Sequence, residues 1–202
     1  MKLYYIPGAC SLTPHIILRE TGQSFALEKV DPATHRTASG GDYYAVSSKG
    51  AVPVLALDDD TRLSEGPVIV QYLCDLAGRD DLMPAAGSLA RYRVMEWQNY
   101  ITSELHKGFS PLFNPALGAD AKTLLGAVLR KKFEWVNTQL GAGPYLTGST
   151  FTGADAYLFT VSRWAAFVGP DLADLAPLQA FLRRVGERPA VRDALRAEGL
   201  PH

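Results

Sequence analysis

Leu3-Tyr4-Tyr5-Ile6-Pro7-Gly8-Ala9-Cys10-Ser11-Leu12 is the stretch on which the reading of this chain turns. The apolar run from Leu3 to Ile6 is closed at once by Pro7-Gly8, the pattern of a short buried strand ending in a turn. Ser11 then precedes Leu12, Ile16 and Ile17, and Gly22 follows Arg19-Glu20, which predicts a helix with Ser11 as its N-cap and a glycine stop. Pro14 falls in the first turn, where a missing N–H costs little. Cys10 is thereby set at the mouth of a helix, where backbone N–H groups and the helix dipole favour an anion. A thiolate, its own or a ligand's, would be stabilised there.

Working outward, Phe25 to Val30 supplies a second strand, so residues 3–30 read as a β-α-β unit with parallel strands. Residues 31–49 are polar and glycine-bearing, a loop with a short helix near Asp42 to Val46. Val52 to Leu57, the turn Asp58-Asp59-Asp60-Thr61 and Arg62-Leu63-Ser64 make an antiparallel hairpin. Val68, Ile69, Tyr72, Leu73 and Leu76 recur at helical spacing until Gly78. The order β-α-β then β-β-α is that of an α/β thioredoxin-like domain with a mixed four-stranded sheet, here residues 1–78. Residues 79–88, charged and carrying Pro84 and Gly87, read as a linker, and residues 89–202 as an all-α domain. Its helices are expected at 89–113, 120–140, 153–168, 173–186 and 189–197, broken by prolines and glycines.

At 202 residues the chain suits two small domains, and 47% apolar residues can fill both cores. Lys plus Arg number 20 against 21 Asp plus Glu, a balance that argues against a nucleic-acid partner. His15, His35, His106 and His202 show no metal-ligand spacing, so no metal is expected. No stretch approaches the roughly 18 apolar residues of a membrane helix, and the opening apolar run is too short for a signal peptide. The expected address is the cytoplasm. A chain with this much core needs no disulfide between Cys10 and Cys74.

Several short motifs carry chemistry. Three residues after Cys10 stands Thr13, so a dithiol cycle lacks its resolving partner. Taken alone, Cys10 is equally well a small core residue. Val52-Pro53 enters a strand where this fold type carries a cis bond, which would turn the Val52 backbone toward a bound peptide. Ser64-Glu65-Gly66-Pro67 stands before a helix, offering backbone donors to a ligand carboxylate and Glu65 to a ligand ammonium. Thr152-Gly153-Ala154-Asp155 is a helix-capping pattern, a folding element only. The first long helix carries Trp97, Asn99, Tyr100, Glu104, His106 and Lys107; polar Asn99, Thr102-Ser103 and His106 interrupt what should be core or interface, and a lone helical histidine is more often structural than catalytic.

These residues together resemble the glutathione transferases, specifically the bacterial beta class. The likeness is carried by Pro7-Gly8-Ala9-Cys10-Ser11-Leu12, Lys49-Gly50-Ala51-Val52-Pro53, Glu65-Gly66 with Val70-Gln71-Tyr72-Leu73, Glu104-Leu105-His106-Lys107-Gly108-Phe109, and Phe151-Thr152-Gly153-Ala154-Asp155-Ala156-Tyr157-Leu158-Phe159. It runs through Glu187-Arg188-Pro189 to the tail. The resemblance implies a homodimer that conjugates the glutathione thiol to electrophilic carbons, with disulfide or peroxide reduction as an accompanying activity. It assigns Cys10 to the glutathione sulfur, with a mixed disulfide available to it, and the Val52 backbone to the cysteinyl unit. Glu65 and Gly66 take the γ-glutamyl end, and His35 or Arg36 the glycyl carboxylate. His106, which could take or relay the thiol proton, and Lys107 complete the site from the helical domain, with Asn99 and Glu104 reaching across the dimer. Ala51 and Gly66 depart from the glutamine and serine frequent among relatives. A different class of function is a non-catalytic carrier, with apolar ligands between the domains among Tyr4, Tyr5, Phe109, Phe113, Trp164 and Phe167.

Overall fold

The computed structural model describes residues 1–201. The chain forms two compact units, one from Met1–Met83 together with the chain from Arg188 onward, the other from Pro84–Glu187.

The first unit contains β1 (Lys2–Tyr5), α1 (Leu12–Glu20), β2 (Ala26–Lys29), β3 (Val54–Ala56), β4 (Arg62–Ser64) and α2 (Gly66–Ala77). The strands form a four-stranded sheet in the order β2-β1-β3-β4. β1 runs parallel to β2, with Leu3 opposite Leu27, and antiparallel to β3, with Leu3 opposite Leu55. β3 and β4 form the expected hairpin, Leu55 opposite Leu63. Alternation along the strands feeds two cores. Leu3 and Leu55 pack with Leu12, Ile16 and Ile17 of α1 and Ile69 and Leu73 of α2, all fully buried. On the other face Val54, Val30 and Tyr43 gather Tyr4, Ile6, Val46 and Val52. Each such aliphatic side chain contributes about 1.5–3 kcal/mol of burial.

Ser11 does not cap α1. Leu12 N–H already donates to Ala9 O and Thr13 N–H to Cys10 O, so the helical turn starts early and leaves Ser11 in helical conformation. Its buried hydroxyl instead lies 3.2 Å from both the N–H and the carbonyl of Ile6, cross-bracing the loop that carries Cys10.

The last helix of the described chain, α9 (Pro189–Ala197), packs on α1 in this first unit, whereas sequence order assigned it to the helical domain. Arg188 makes two bonds to the Glu20 carboxylate, at 2.7 and 3.0 Å, and Val191, Ala194 and Leu195 are buried. Just beyond α9, Glu198 accepts from Gly8 N–H at 2.8 Å and bonds His15 Nδ1 at 2.8 Å, with both side chains fully buried. Arg19 Nε, always a donor, points at His15 Nε2 at 3.0 Å. The ring is thus held from both nitrogens, Nδ1 by Glu198 and Nε2 by Arg19.

The second unit is helical. α3 (Leu89–Tyr100) starts with Ser88 Oγ accepting from Arg91 N–H at 3.2 Å, then continues through a π-helical stretch, Ile101–His106, into α4 (Lys107–Phe109) and a 3₁₀ turn, Ser110–Phe113. The expected continuous helix 89–113 is thus re-wound in its middle. There Thr102 Oγ1 donates to the Gln98 carbonyl at 2.8 Å. α5 (Ala119–Leu140), α6 (Gly153–Ser162), α7 (Ala165–Val168) and α8 (Ala176–Gly186) follow. The helix expected over 153–168 breaks at Arg163-Trp164, where the Trp164 ring joins Phe109, Phe113 and His106. Every residue of α6 is buried. Its start is held by Asp155, which accepts from Thr152 N–H, Thr152 Oγ1 and Leu146 N–H, each at 2.8 Å.

Candidate active site

Cys10 leaves the β1–α1 loop half-buried. Gly8 sets that loop by adopting φ +73°, a left-handed conformation suited to glycine, while its N–H is held by Glu198. The Cys10 thiol donates to the Val52 carbonyl at 3.3 Å, across 42 positions of sequence. The Val52-Pro53 peptide is cis. Just before it, the Ala51 carbonyl accepts from Tyr43 OH at 2.9 Å and from Ser47 Oγ at 3.3 Å. Burial pushes the Tyr43 phenol up to about 12, so it remains a donor at neutral pH. The thiol thus faces a braced peptide edge.

Glu65 and Gly66 lie beside that edge. An ideal Cβ on Gly66 would stand 4.0 Å from Pro53 Cγ and meet nothing nearer. Glu65 occupies the N-cap position of α2 at φ 70°, a conformation uncommon for a side-chain-bearing residue and one that concentrates at ligand sites. Its side chain makes no cap; the carboxylate instead meets Lys49 Nζ at 2.5 Å, both groups more than half exposed. Pro67 has no N–H, so the first turn of α2 presents the N–H groups of Gly66 and Val68 as anion donors. Lys49, to which sequence reasoning gave no role, is therefore part of this group. It stood in a recognised stretch, but a pairing across 16 positions leaves no periodic signal.

His35 joins the same group from the loop side. It has φ 52°, stacks on Tyr44 with centroids 4.6 Å apart, and buries Nδ1 with no hydrogen-bond partner among the described residues. Gly50, at φ +63°, makes room for that stack: a Cβ there would come within 2.8 Å of Tyr44 and 3.1 Å of the His35 ring. Arg36 is exposed. Cys74, by contrast, is 1% exposed in α2.

The remaining expected residues lie in the helical unit. Asn99 and Lys107 are exposed. Glu104 pairs with Lys132 at 2.8 Å and accepts from Ser103 Oγ at 3.2 Å; the Lys132 ammonium holds its carboxyl below the usual glutamate range. His106 Nδ1 lies 2.7 Å from the hydroxyl of Tyr157, and its ring stands edge-on to Trp164 at 4.8 Å. Tyr157 and Lys132 were not singled out in the sequence. Of the aromatics considered for a carrier cleft, Tyr5, Phe109 and Trp164 belong to cores, and Phe113 and Phe167 are exposed.

The first unit's group can hold a small zwitterionic peptide: an edge for its backbone, helix N–H donors and Glu65 for its charged end, and a thiol aimed at its centre. Among the described residues no cluster of three or more His, Cys, Asp or Glu could hold a metal ion, and no helix is long and apolar enough to cross a membrane.

Comparison with known proteins shows the family of the chain. Residues 8–76 match the family model described as glutathione S-transferase, N-terminal domain, and residues 119–197 the corresponding C-terminal domain. Over 200 residues, 99% of this chain and 100% of the other, the sequence is 50% identical to glutathione S-transferase GstA of Escherichia coli O157:H7. A sphingomonad glutathione S-transferase solved in complex with glutathione superposes with a TM-score of 0.95 at 42% identity, covering 100% of both chains. A bacterial beta-class enzyme of Sphingomonas chungbukensis gives a TM-score of 0.95 at 41% identity, again over 100% of both chains.

Proposed function

This chain belongs to the glutathione S-transferase family, grouping with its bacterial beta class, and from that premise we propose that it joins the thiol of glutathione to small electrophilic molecules. The observation that carries the reading is the thiol of Cys10 set against the Val52 carbonyl, beside the N-terminus of α2 and the Glu65 carboxylate. The glutathione thiol loses its proton, its sulfur pair forms a bond to carbon, and the leaving group departs with the electrons of the broken bond. Residues 1–78 form the glutathione-binding domain in this reading. Cys10 faces the glutathione sulfur, Val52 pairs with the cysteinyl unit, and Glu65 with Gly66 and Val68 N–H holds the γ-glutamyl end. His35 takes the glycyl carboxylate. From the helical unit, His106 and Lys107 serve the reaction, and Asn99 and Glu104 act across a homodimer. The proposed setting is cytoplasmic detoxification, with thiol-disulfide or peroxide reduction through Cys10 as a second activity.

An activated aryl chloride tests the reading: with glutathione, the protein should release chloride and form the aryl thioether stoichiometrically. Tight glutathione binding with no product above the uncatalysed rate would make the protein a carrier instead.

A further inference from the structure

We propose that Tyr157 is a positioning residue that keeps the proton of His106 on Nε2, so that the ring meets the glutathione sulfur as a hydrogen-bond donor and not as a base. This rests on the reading that His106 acts in the transfer reaction.

Tyr157 OH and His106 Nδ1 stand 2.7 Å apart, within hydrogen-bond reach. Of the two groups the phenol is the stronger acid and the imidazole nitrogen the stronger acceptor. The phenol therefore donates to Nδ1. Thr102 takes no part in reversing this: its hydroxyl donates to the Gln98 carbonyl at 2.8 Å and stands 3.4 Å from the Tyr157 oxygen. A neutral imidazole that accepts at Nδ1 carries its proton at Nε2.

The arrangement is also rigid. Tyr157 is 3% exposed on a helix whose every residue is buried, and Asp155 pins that helix two residues earlier. The His106 ring is wedged edge-on against Trp164 at 4.8 Å and Tyr157 at 6.0 Å, so it cannot swing to exchange its nitrogens cheaply. During transfer the glutathione thiol releases its proton to water. His106 keeps its own proton, donates it in a hydrogen bond to the thiolate, and relaxes that bond as the sulfur pair passes to carbon and the leaving group departs.

Long-range proton–nitrogen spectra of protein with labelled histidine rings test this. In the wild type His106 should be protonated at Nε2 and bare at Nδ1; a protonated Nδ1 overturns the proposal, and needs no variant. Tyr157→Phe should move proton population toward Nδ1 and lower kcat about tenfold, with KM for glutathione changed less than about twofold. An unchanged tautomer or an unchanged kcat also overturns it. His106→Gln keeps an amide donor but no base, and should turn over about tenfold faster than His106→Phe; equal loss in both makes His106 a base. If His106→Phe is as active as the wild type, the assignment of His106 to the reaction falls, whatever its tautomer.

Discussion

The Cys10 sulfur lies 3.3 Å from the carbonyl oxygen of Val52, the residue proposed to align the cysteinyl unit of glutathione. A ligand held along that edge, as proposed, would bring its sulfur close to the Cys10 thiol. Incubation with oxidised glutathione should therefore add one tripeptide at Cys10. The Cys10 thiolate attacks one sulfur, the glutathione disulfide breaks, and one reduced glutathione is released. Cys74, only 1% exposed, should stay unmodified. Peptide mapping by mass spectrometry decides, and labelling confined to Cys74 would remove Cys10 from the site.

Glu65→Ala should weaken glutathione binding about tenfold or more, since a charge-assisted hydrogen bond to the ligand ammonium is lost. In the unliganded protein Glu65 is held by Lys49, an exposed pair worth only about 0–1 kcal/mol and readily exchanged for a ligand. Calorimetry on the folded variant checks this; equal affinities would place the γ-glutamyl end elsewhere.

Gly66→Ser should be tolerated and should tighten glutathione binding, by up to about tenfold for one added hydrogen bond. The backbone of Gly66 is not left-handed, and the new Cβ would come no nearer than 4.0 Å to Pro53. A variant that melts like the wild type but binds no better shows that residue 66 offers the ligand only its N–H. Gly50→Ala is the contrasting case, because its Cβ would collide with the Tyr44 and His35 rings. That variant should lose affinity through a displaced His35.

Burial pushes the Asp155 carboxyl up to about 6, against the pull of the three donors around it. A folded-state value above the ordinary 3.8 means that its contribution is fully present below about pH 4 and is lost as pH rises through about 6. Compared with Asp155→Asn, the wild type should therefore lose stability between about pH 5 and 7. Urea midpoints of both proteins at the two pH values measure it, and a constant difference contradicts it.

A homodimer should give light scattering near twice the 21.9 kDa chain mass at micromolar concentration. The exposed Leu124, Val128 and Trp135 of α5, with the Trp135 ring tilted against Tyr100 and Trp97 of α3, offer apolar surface for such an interface. Introducing charge at Trp135 should shift the mass toward one chain; a fully active monomer in the wild type would end the dimer reading.

The sheet and the place of Cys10 were legible because both are written locally. Alternation and turn residues mark the hairpin, and a strand cut by Pro7-Gly8 before a helical pattern leaves Cys10 at the helix mouth. Ser11 was misjudged because N-cap preference does not sense that the preceding residues already form a turn. The π-helical segment leaves no mark in the spacing of apolar residues, since Thr102 bonds the Gln98 carbonyl just as Thr138 bonds Glu134 in the regular helix α5. Lys49 on Glu65, Lys132 on Glu104 and Tyr157 on His106 join residues 16, 28 and 51 positions apart, and no periodicity reports such meetings. That α9 covers α1 was not legible, because chain order does not say against which neighbour an amphipathic face is covered.

The bond from Gly8 N–H to Glu198 has a consequence for how the protein is made. The loop that carries Cys10 leaves the ribosome 190 positions ahead of its brace. While translation continues, β1 and α1 can associate, but His15 is buried without its carboxylate and the α1 surface that α9 covers stays bare. The helical unit between them can complete its core first. The unit that holds the thiol loop is thus closed only by chain that follows the helical unit, and a ribosome stalled before residue 198 holds a thiol loop not yet fastened.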